Sequence, residues 1–176
     1  MNTLAVVLMG VSGSGKTVVG ERLAQGLGAR FIDGDDYHPP ANVEKMRAGT
    51  PLTDSDRAPW LERLNAVLRH AVARQEPVVL ACSALRAAYR ETLADRLPML
   101  QWVHLSGNER LIAQRLADRQ HRYMPASLLH SQFAALEPPD TAIVIDVAAP
   151  LDTVVAHALA ALEASGWVSA QTTRPT

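Results

Sequence analysis

The chain has 176 residues, 17 basic and 18 acidic, with a formal net charge of −1; that is the length of one compact domain, and no basic stripe or charge block suits nucleic acid or an anionic membrane. Hydrophobic residues make up 48% and charged residues 20%, a balance that excludes a disordered chain. Cys82 is the sole cysteine, so no intramolecular disulfide can form; without a secretory signal pattern or a run near the roughly 18 apolar residues that span a bilayer, a soluble cytoplasmic protein is expected.

In chain order, Leu4 to Met9 is a continuous apolar run that stops at Gly10. It reads as a strand buried on both faces, as in a parallel sheet. From Lys16 the period changes, with Val19, Leu23 and Leu27 on one helical face and Gly28 as the stop. Arg30-Phe31-Ile32 is a short second strand running into Asp33-Gly34-Asp35-Asp36. Between Tyr37 and Pro59, prolines, glycines and charges predict short helical pieces and loops. Trp60, Leu61, Leu64, Val67, Leu68, Ala71 and Val72 then form an amphipathic stripe. Val78 to Cys82 reads as a strand, Ala84 to Leu93 as a helix, Leu100 to Leu105 as a strand and Glu109 to Arg119 as a helix. Ala142 to Asp146 is the last predicted strand and Leu151 to Leu162 the last helix; residues 167–176 read as a polar, frayed tail. About five alternations of strand and helix predict an open parallel α/β sheet with right-handed crossovers.

Gly10-Val11-Ser12-Gly13-Ser14-Gly15-Lys16-Thr17 matches G-x-x-x-x-G-K-[ST] at every fixed position, after an apolar strand and before a helix. Glycines let the backbone wrap triphosphate oxygens with its N–H groups pointing inward, and the helix start adds its positive dipole end. Lys16 supplies a mobile positive charge for the β- and γ-phosphates, and the Thr17 hydroxyl is placed to ligate Mg²⁺. The chain lacks the Asn-Lys-x-Asp pattern that reads guanine. A small P-loop domain with polar inserts instead resembles the nucleoside monophosphate kinase class, which implies a five-stranded parallel sheet flanked by helices and a closing lid. A hydroxyl acceptor needs a carboxylate to orient it and take its proton, so Asp35 is the candidate base and Asp33 a candidate holder of a Mg²⁺-bound water.

A more specific resemblance runs through the next segment. Asp33-Gly34-Asp35, His38-Pro39, Asn42, Lys45-Met46, Gly49, Pro51-Leu52 and Asp54-x-Asp56-Arg57-x-Pro59-Trp60-Leu61 resemble the signature of the gluconate kinases. Cys82-Ser83-Ala84-Leu85 with Tyr89-Arg90 is similar to that family's next block. Met124-Pro125, Ser131-Gln132-Phe133 and Leu136-Glu137-x-Pro139 are similar to the block around its lid. In the lid, Arg119-Gln120-His121-Arg122-Tyr123-Met124-Pro125 departs from the family's Arg-x-x-His-Phe-Met-Pro: Arg122 stands at the histidine position and Tyr123 at the phenylalanine.

The resemblance implies one kinase domain over residues 1–166, with an acceptor-binding insert at about 36–60 and a lid at about 119–130. It implies ATP-dependent, Mg²⁺-requiring phosphorylation of D-gluconate to 6-phospho-D-gluconate, feeding the pentose phosphate pathway, and leaves room for a homodimer. Gluconate, an anionic polyol, calls for a cation and several polar groups. Arg57 is the candidate carboxylate clamp, with pairing to its acidic neighbours as the alternative. His38 and Ser83 are candidate hydroxyl ligands, and His38 equally suits a loop-stabilising role. Arg115 and Arg119, four apart on one helical face, are candidates to neutralise the transferring phosphoryl group. Cys82 reads as a small buried residue. Shikimate kinase, a nucleoside monophosphate kinase and a non-enzymatic ATP-binding regulatory domain are the alternatives.

Overall fold

The computed structural model describes residues 3–117 and 126–166. Strand β1 (Ala5–Met9) leads through the glycine-rich turn into α1 (Lys16–Leu27). β2 (Arg30–Asp33) and a 3₁₀ turn (Gly34–Tyr37) follow, then α2 (Pro40–Arg47), α3 (Asp54–Ala73) and β3 (Val78–Ala81). The second half holds α4 (Ala87–Ala94), β4 (Gln101–Ser106), α5 (Glu109–Ala117), α6 (Ala126–Ala135), β5 (Ile143–Asp146) and α7 (Leu151–Ala164). No helix among the described residues is long and apolar enough to cross a membrane.

The five strands form one sheet in the order β2-β3-β1-β4-β5, and every pairing is parallel. β1 lies at the centre, in register with β3 (Val6↔Val79) and β4 (Val7↔Trp102). Its continuous apolar run follows from that position, because both of its faces are covered. Leu4, Val6 and Leu8 join the core shared with α1 and α7. Ala5, Val7 and Met9 face the opposite core, built with α3, Leu93 and Leu97. Alternation along one strand thus feeds two hydrophobic layers.

Three elements differ from the sequence expectation. The long helix starts at Asp54, not beyond Pro59, because Thr53 and Asp56 form a reciprocal capping box that nucleates it. Pro59 lies inside this helix, past the first turn, and leaves the Ser55 carbonyl without its helical donor. The fourth helix begins at Ala87, since Ala84 takes a left-handed φ of 44° that no helix allows. The sequence pattern does not predict α6 as a helix: its mixed apolar and polar residues show little amphipathic order, and packing against α5, with Leu129 in the core, settles its conformation.

Candidate active site

The carboxyl ends of β1, β2 and β3 open onto one face, where open α/β sheets place their ligands. The P-loop leaves β1 there, and its first turn is tied to the neighbouring strand end by the Gly10 N–H, which donates to the Ser83 carbonyl at 3.3 Å. Gly10 and Gly13 both have positive φ, 148° and 83°. A Cβ on Gly10 would lie 2.7 Å from the Leu105 carbonyl oxygen, and one on Gly13 would lie 2.8 Å from Leu116 Cγ. The loop therefore has no room for side chains at either point. The Lys16 ammonium folds over the loop and donates to the carbonyls of Gly10 and Val11, each at 3.0 Å. Ser14 Oγ is a buried polar atom without a hydrogen-bond partner among the described residues. An anion with several acceptor oxygens fits this cradle of amides, ammonium and orphaned hydroxyl.

A side-chain hydrogen bond ties the acidic turn to the end of the P-loop. Thr17 Oγ1, at the start of α1, donates to Asp33 Oδ2 at 3.0 Å. The other Asp33 oxygen accepts from the Asp35 N–H at 3.1 Å, so Asp33 caps the 3₁₀ turn that presents Asp35. Hydroxyl and carboxylate supply the oxygen donors a hard divalent cation requires, and the pair fits Mg²⁺. Thr17 and Asp33 also line a cleft of about 360 Å³ with Glu21, Arg30, Asp36 and Tyr37.

Asp35 is exposed and faces His38, whose Nε2 lies 3.8 Å from Asp35 Oδ1. The His38 ring stacks on Trp60 with centroids 4.1 Å apart and planes at 17°. The Trp60 indole N–H is in turn held by the Gly34 carbonyl at 2.8 Å. Burial lowers the His38 pKa below its ordinary 6.5; Asp35 opposes that shift and the Arg57 charge reinforces it. Arg57 therefore acts on the same site electrostatically. Its guanidinium donates to the Leu52 carbonyl, lies 4.0 Å from Asp54 and sits over the Tyr89 ring at 5.6 Å. Asp54 also accepts from Arg86 at 3.2 Å and from the Tyr89 hydroxyl. Arg57 is thus a half-buried cation fixed on several sides.

Ser83 follows β3 beside the P-loop, and the turn after it is held by Arg90, which donates to the carbonyls of Ala84 and Leu85 at 3.0 and 3.1 Å. Cys82 is buried and its thiol is pushed up to about 12 by desolvation, so it is no nucleophile at neutral pH. Arg115 donates to the Val147 carbonyl just beyond β5, which directs at least one of its nitrogens to the sheet end. Arg119 and the rest of the 118–125 segment, including Arg122 and Tyr123, lie outside the described residues.

Two contributors were not singled out from sequence. The Gln132 side chain on α6 accepts from the Ser12 N–H at 2.7 Å and donates to Ser12 Oγ at 3.1 Å, clamping the tip of the P-loop. Asn42 on α2 is buried between His38 and the Asp56 carbonyl. Both belong to the motif blocks, yet nothing local to either residue marks its partner.

Known proteins share this architecture and sequence. The model of the AAA domain family matches residues 6–139. A gluconokinase of Gluconobacter oxydans is 53% identical over 135 residues, covering 76% of this chain and 75% of that protein. The thermosensitive gluconokinase of Escherichia coli is 47% identical over 133 residues, covering 76% and 71%. The crystal structure of a gluconokinase from Sinorhizobium meliloti superposes with a TM-score of 0.85 at 45% identity, covering 92% of this chain and 93% of that one.

Proposed function

The chain belongs to the gluconokinase family, and from that premise we propose that it transfers the γ-phosphoryl group of ATP to the terminal hydroxyl of D-gluconate, forming ADP and 6-phospho-D-gluconate. The observation that carries the reading is the Thr17–Asp33 hydrogen bond at 3.0 Å. It joins the nucleotide loop to the acidic turn that presents Asp35, whose carboxylate lies 3.8 Å from His38 Nε2.

In this reading the backbone of residues 10–17 and the Lys16 ammonium bind the β- and γ-phosphates. Thr17 and Asp33 would hold Mg²⁺, Asp33 through a bound water, and the bound ion supplies charge neutralisation at the phosphate oxygens. The acceptor hydroxyl oxygen forms the new bond to γ-phosphorus while the bond to the β–γ bridging oxygen breaks and its electrons leave with ADP. Asp35 takes the hydroxyl proton. Arg57 grips the substrate carboxylate and Ser83 a hydroxyl. Arg115 and Arg119 offset the charge on the transferring group, Arg115 using the guanidinium N–H groups not directed at Val147.

A coupled ADP-release assay across gluconate, shikimate and nucleoside monophosphates tests the assignment. Turnover with gluconate alone is expected. Preference for shikimate or a nucleotide would move the chain to another kinase specificity, and ATP binding without any turnover would favour a regulatory domain.

A further inference from the structure

The contacts around His38 bear on which of its two nitrogens carries the proton, and this has chemical consequences for Asp35. The side-chain amide of Asn42 is buried, and its Nδ2 donates to the Asp56 carbonyl at 2.8 Å. That bond fixes the amide orientation, because an oxygen there would face another oxygen. The same Nδ2 lies 3.5 Å from His38 Nδ1. A donor therefore faces Nδ1 at the outer limit of hydrogen-bond distance, which favours a lone pair there. The proton then sits on Nε2, the nitrogen 3.8 Å from Asp35 Oδ1.

The scaffold behind this choice is rigid. Asp56 is held by Lys45 at 2.7 and 2.9 Å and by the capping box with Thr53. The imidazole is pinned flat on Trp60, with only 4% of the His38 side chain exposed. Protonating Nδ1 would set two donors against each other. The charged groups facing the ring are Asp35, from the 3₁₀ turn, and Arg57, from α3.

The 3.8 Å gap between Nε2 and the Asp35 carboxylate is too wide for a direct hydrogen bond. It suits one oxygen atom placed about 2.8 Å from each. A hydroxyl at that point accepts from Nε2–H and donates its own proton to Asp35. We propose that Asn42 is a positioning residue that locks His38 as the Nε2–H tautomer, and that His38 and Asp35 together grip the reacting hydroxyl of the acceptor, one donating to its oxygen and the other accepting its proton. This rests on the phosphoryl-transfer reading above. Its contribution is a direction for the hydroxyl: with the oxygen's proton committed to Asp35 and one lone pair to His38, the remaining lone pair is free for phosphorus.

Long-range ¹H–¹⁵N correlation on the full chain without substrate reads the tautomer directly. A pyridine-like Nδ1 and a pyrrole-like Nε2 are expected for His38; the reverse assignment, or averaged shifts, overturns the proposal. Kinetics form the second arm. Glutamine can place an N–H near the site of Nε2, so His38→Gln is expected to keep kcat within about tenfold, while His38→Leu loses about 10²-fold. Equal losses in the two variants would remove the donor role. Asn42→Asp puts an acceptor against Nδ1 and draws the proton there. It is expected to invert the ¹⁵N pattern and lower kcat with gluconate, leaving the KM for ATP unchanged. A folded Asn42→Asp protein with undiminished kcat would sink the idea. If that variant does not fold, as a thermal melt would reveal, the wild-type spectrum and the His38 pair still decide. Should the wild type phosphorylate no sugar acid, the reaction reading fails while the spectrum judges the tautomer separately.

Discussion

Lys16 lies over the P-loop with its ammonium on the Gly10 and Val11 carbonyls, where phosphate oxygens would compete for the same donors. Lys16→Ala is expected to leave the melting temperature nearly unchanged and to remove nearly all turnover; activity near wild type would contradict the nucleotide site. Asp35 is exposed and not tied into the core, so Asp35→Asn separates chemistry from folding. An amide orients a hydroxyl but takes no proton, and kcat should fall about 10²–10⁴-fold with little change in ATP affinity. An unchanged kcat would show that no base is needed at that position. Arg57 is fixed by Leu52, Asp54 and Tyr89, which serves a structural role and a carboxylate clamp equally well. Arg57→Lys should raise the gluconate KM, because an ammonium cannot reproduce the planar fork, and Arg57→Met should raise it further. A lowered melting temperature with an unaltered gluconate KM would assign Arg57 to the scaffold alone.

At the scale of elements, α3 and α6 each join parts of the site that lie far apart in the chain. α3 starts from the Thr53–Asp56 capping box and carries Arg57 and Trp60 on its first turns, so one helix start sets both the cation and the platform under His38. α6 reaches the P-loop through Gln132, which answers the Ser12 N–H and hydroxyl together. Each such bond is worth about 0.5–1.5 kcal/mol, and the loop it steadies is the nucleotide cradle. Gln132→Ala is therefore expected to raise the KM for ATP about tenfold, with the gluconate KM little changed. Steady-state titration of each substrate checks this; an effect confined to gluconate would show that α6 serves the acceptor side instead.

At the scale of the whole molecule, two histidines among the described residues have pKa values lowered by burial and contribute to the response to acid. His104 on β4 is 5% exposed, and burial together with the Arg90 charge lowers its pKa from 6.5. His38 is lowered by burial as well. The unfolded chain thus binds protons that the folded one refuses. Stability from these groups is complete above about pH 6.5 and is lost as pH falls from there towards the lower folded values. The Lys45-bound Asp56, lowered to about 2, loses its contribution only in stronger acid. The melting temperature is expected to drop between pH 7.5 and 5.5, and to drop less in His104→Phe. An equal drop in that variant would place the titrating group elsewhere.

The amino-acid sequence by itself determined the P-loop, the central strand and the family. Those features are local: a glycine at each tight turn, an apolar run of strand length, and a lysine and threonine at a helix start leave their mark within a few residues of one another. It also marked Asp33, Asp35, His38 and Arg57, because they fall in one segment with a dense motif. What it left open depended on distance along the chain. Ser12 and Gln132 are 120 residues apart, and no periodicity links a polar residue of α6 to a loop it reaches only after the sheet is assembled. Asn42 falls within the same motif, but nothing local to it names a partner, and only the fold sets it between His38 and Asp56. Arg115 shares a predicted helical face with Arg119, yet in the fold its guanidinium reaches the Val147 carbonyl just beyond β5. Only the order β2-β3-β1-β4-β5 decided that the Ser83 carbonyl would receive the Gly10 N–H, since strand order is set by how two hydrophobic layers close over one sheet and not by any single stretch of residues.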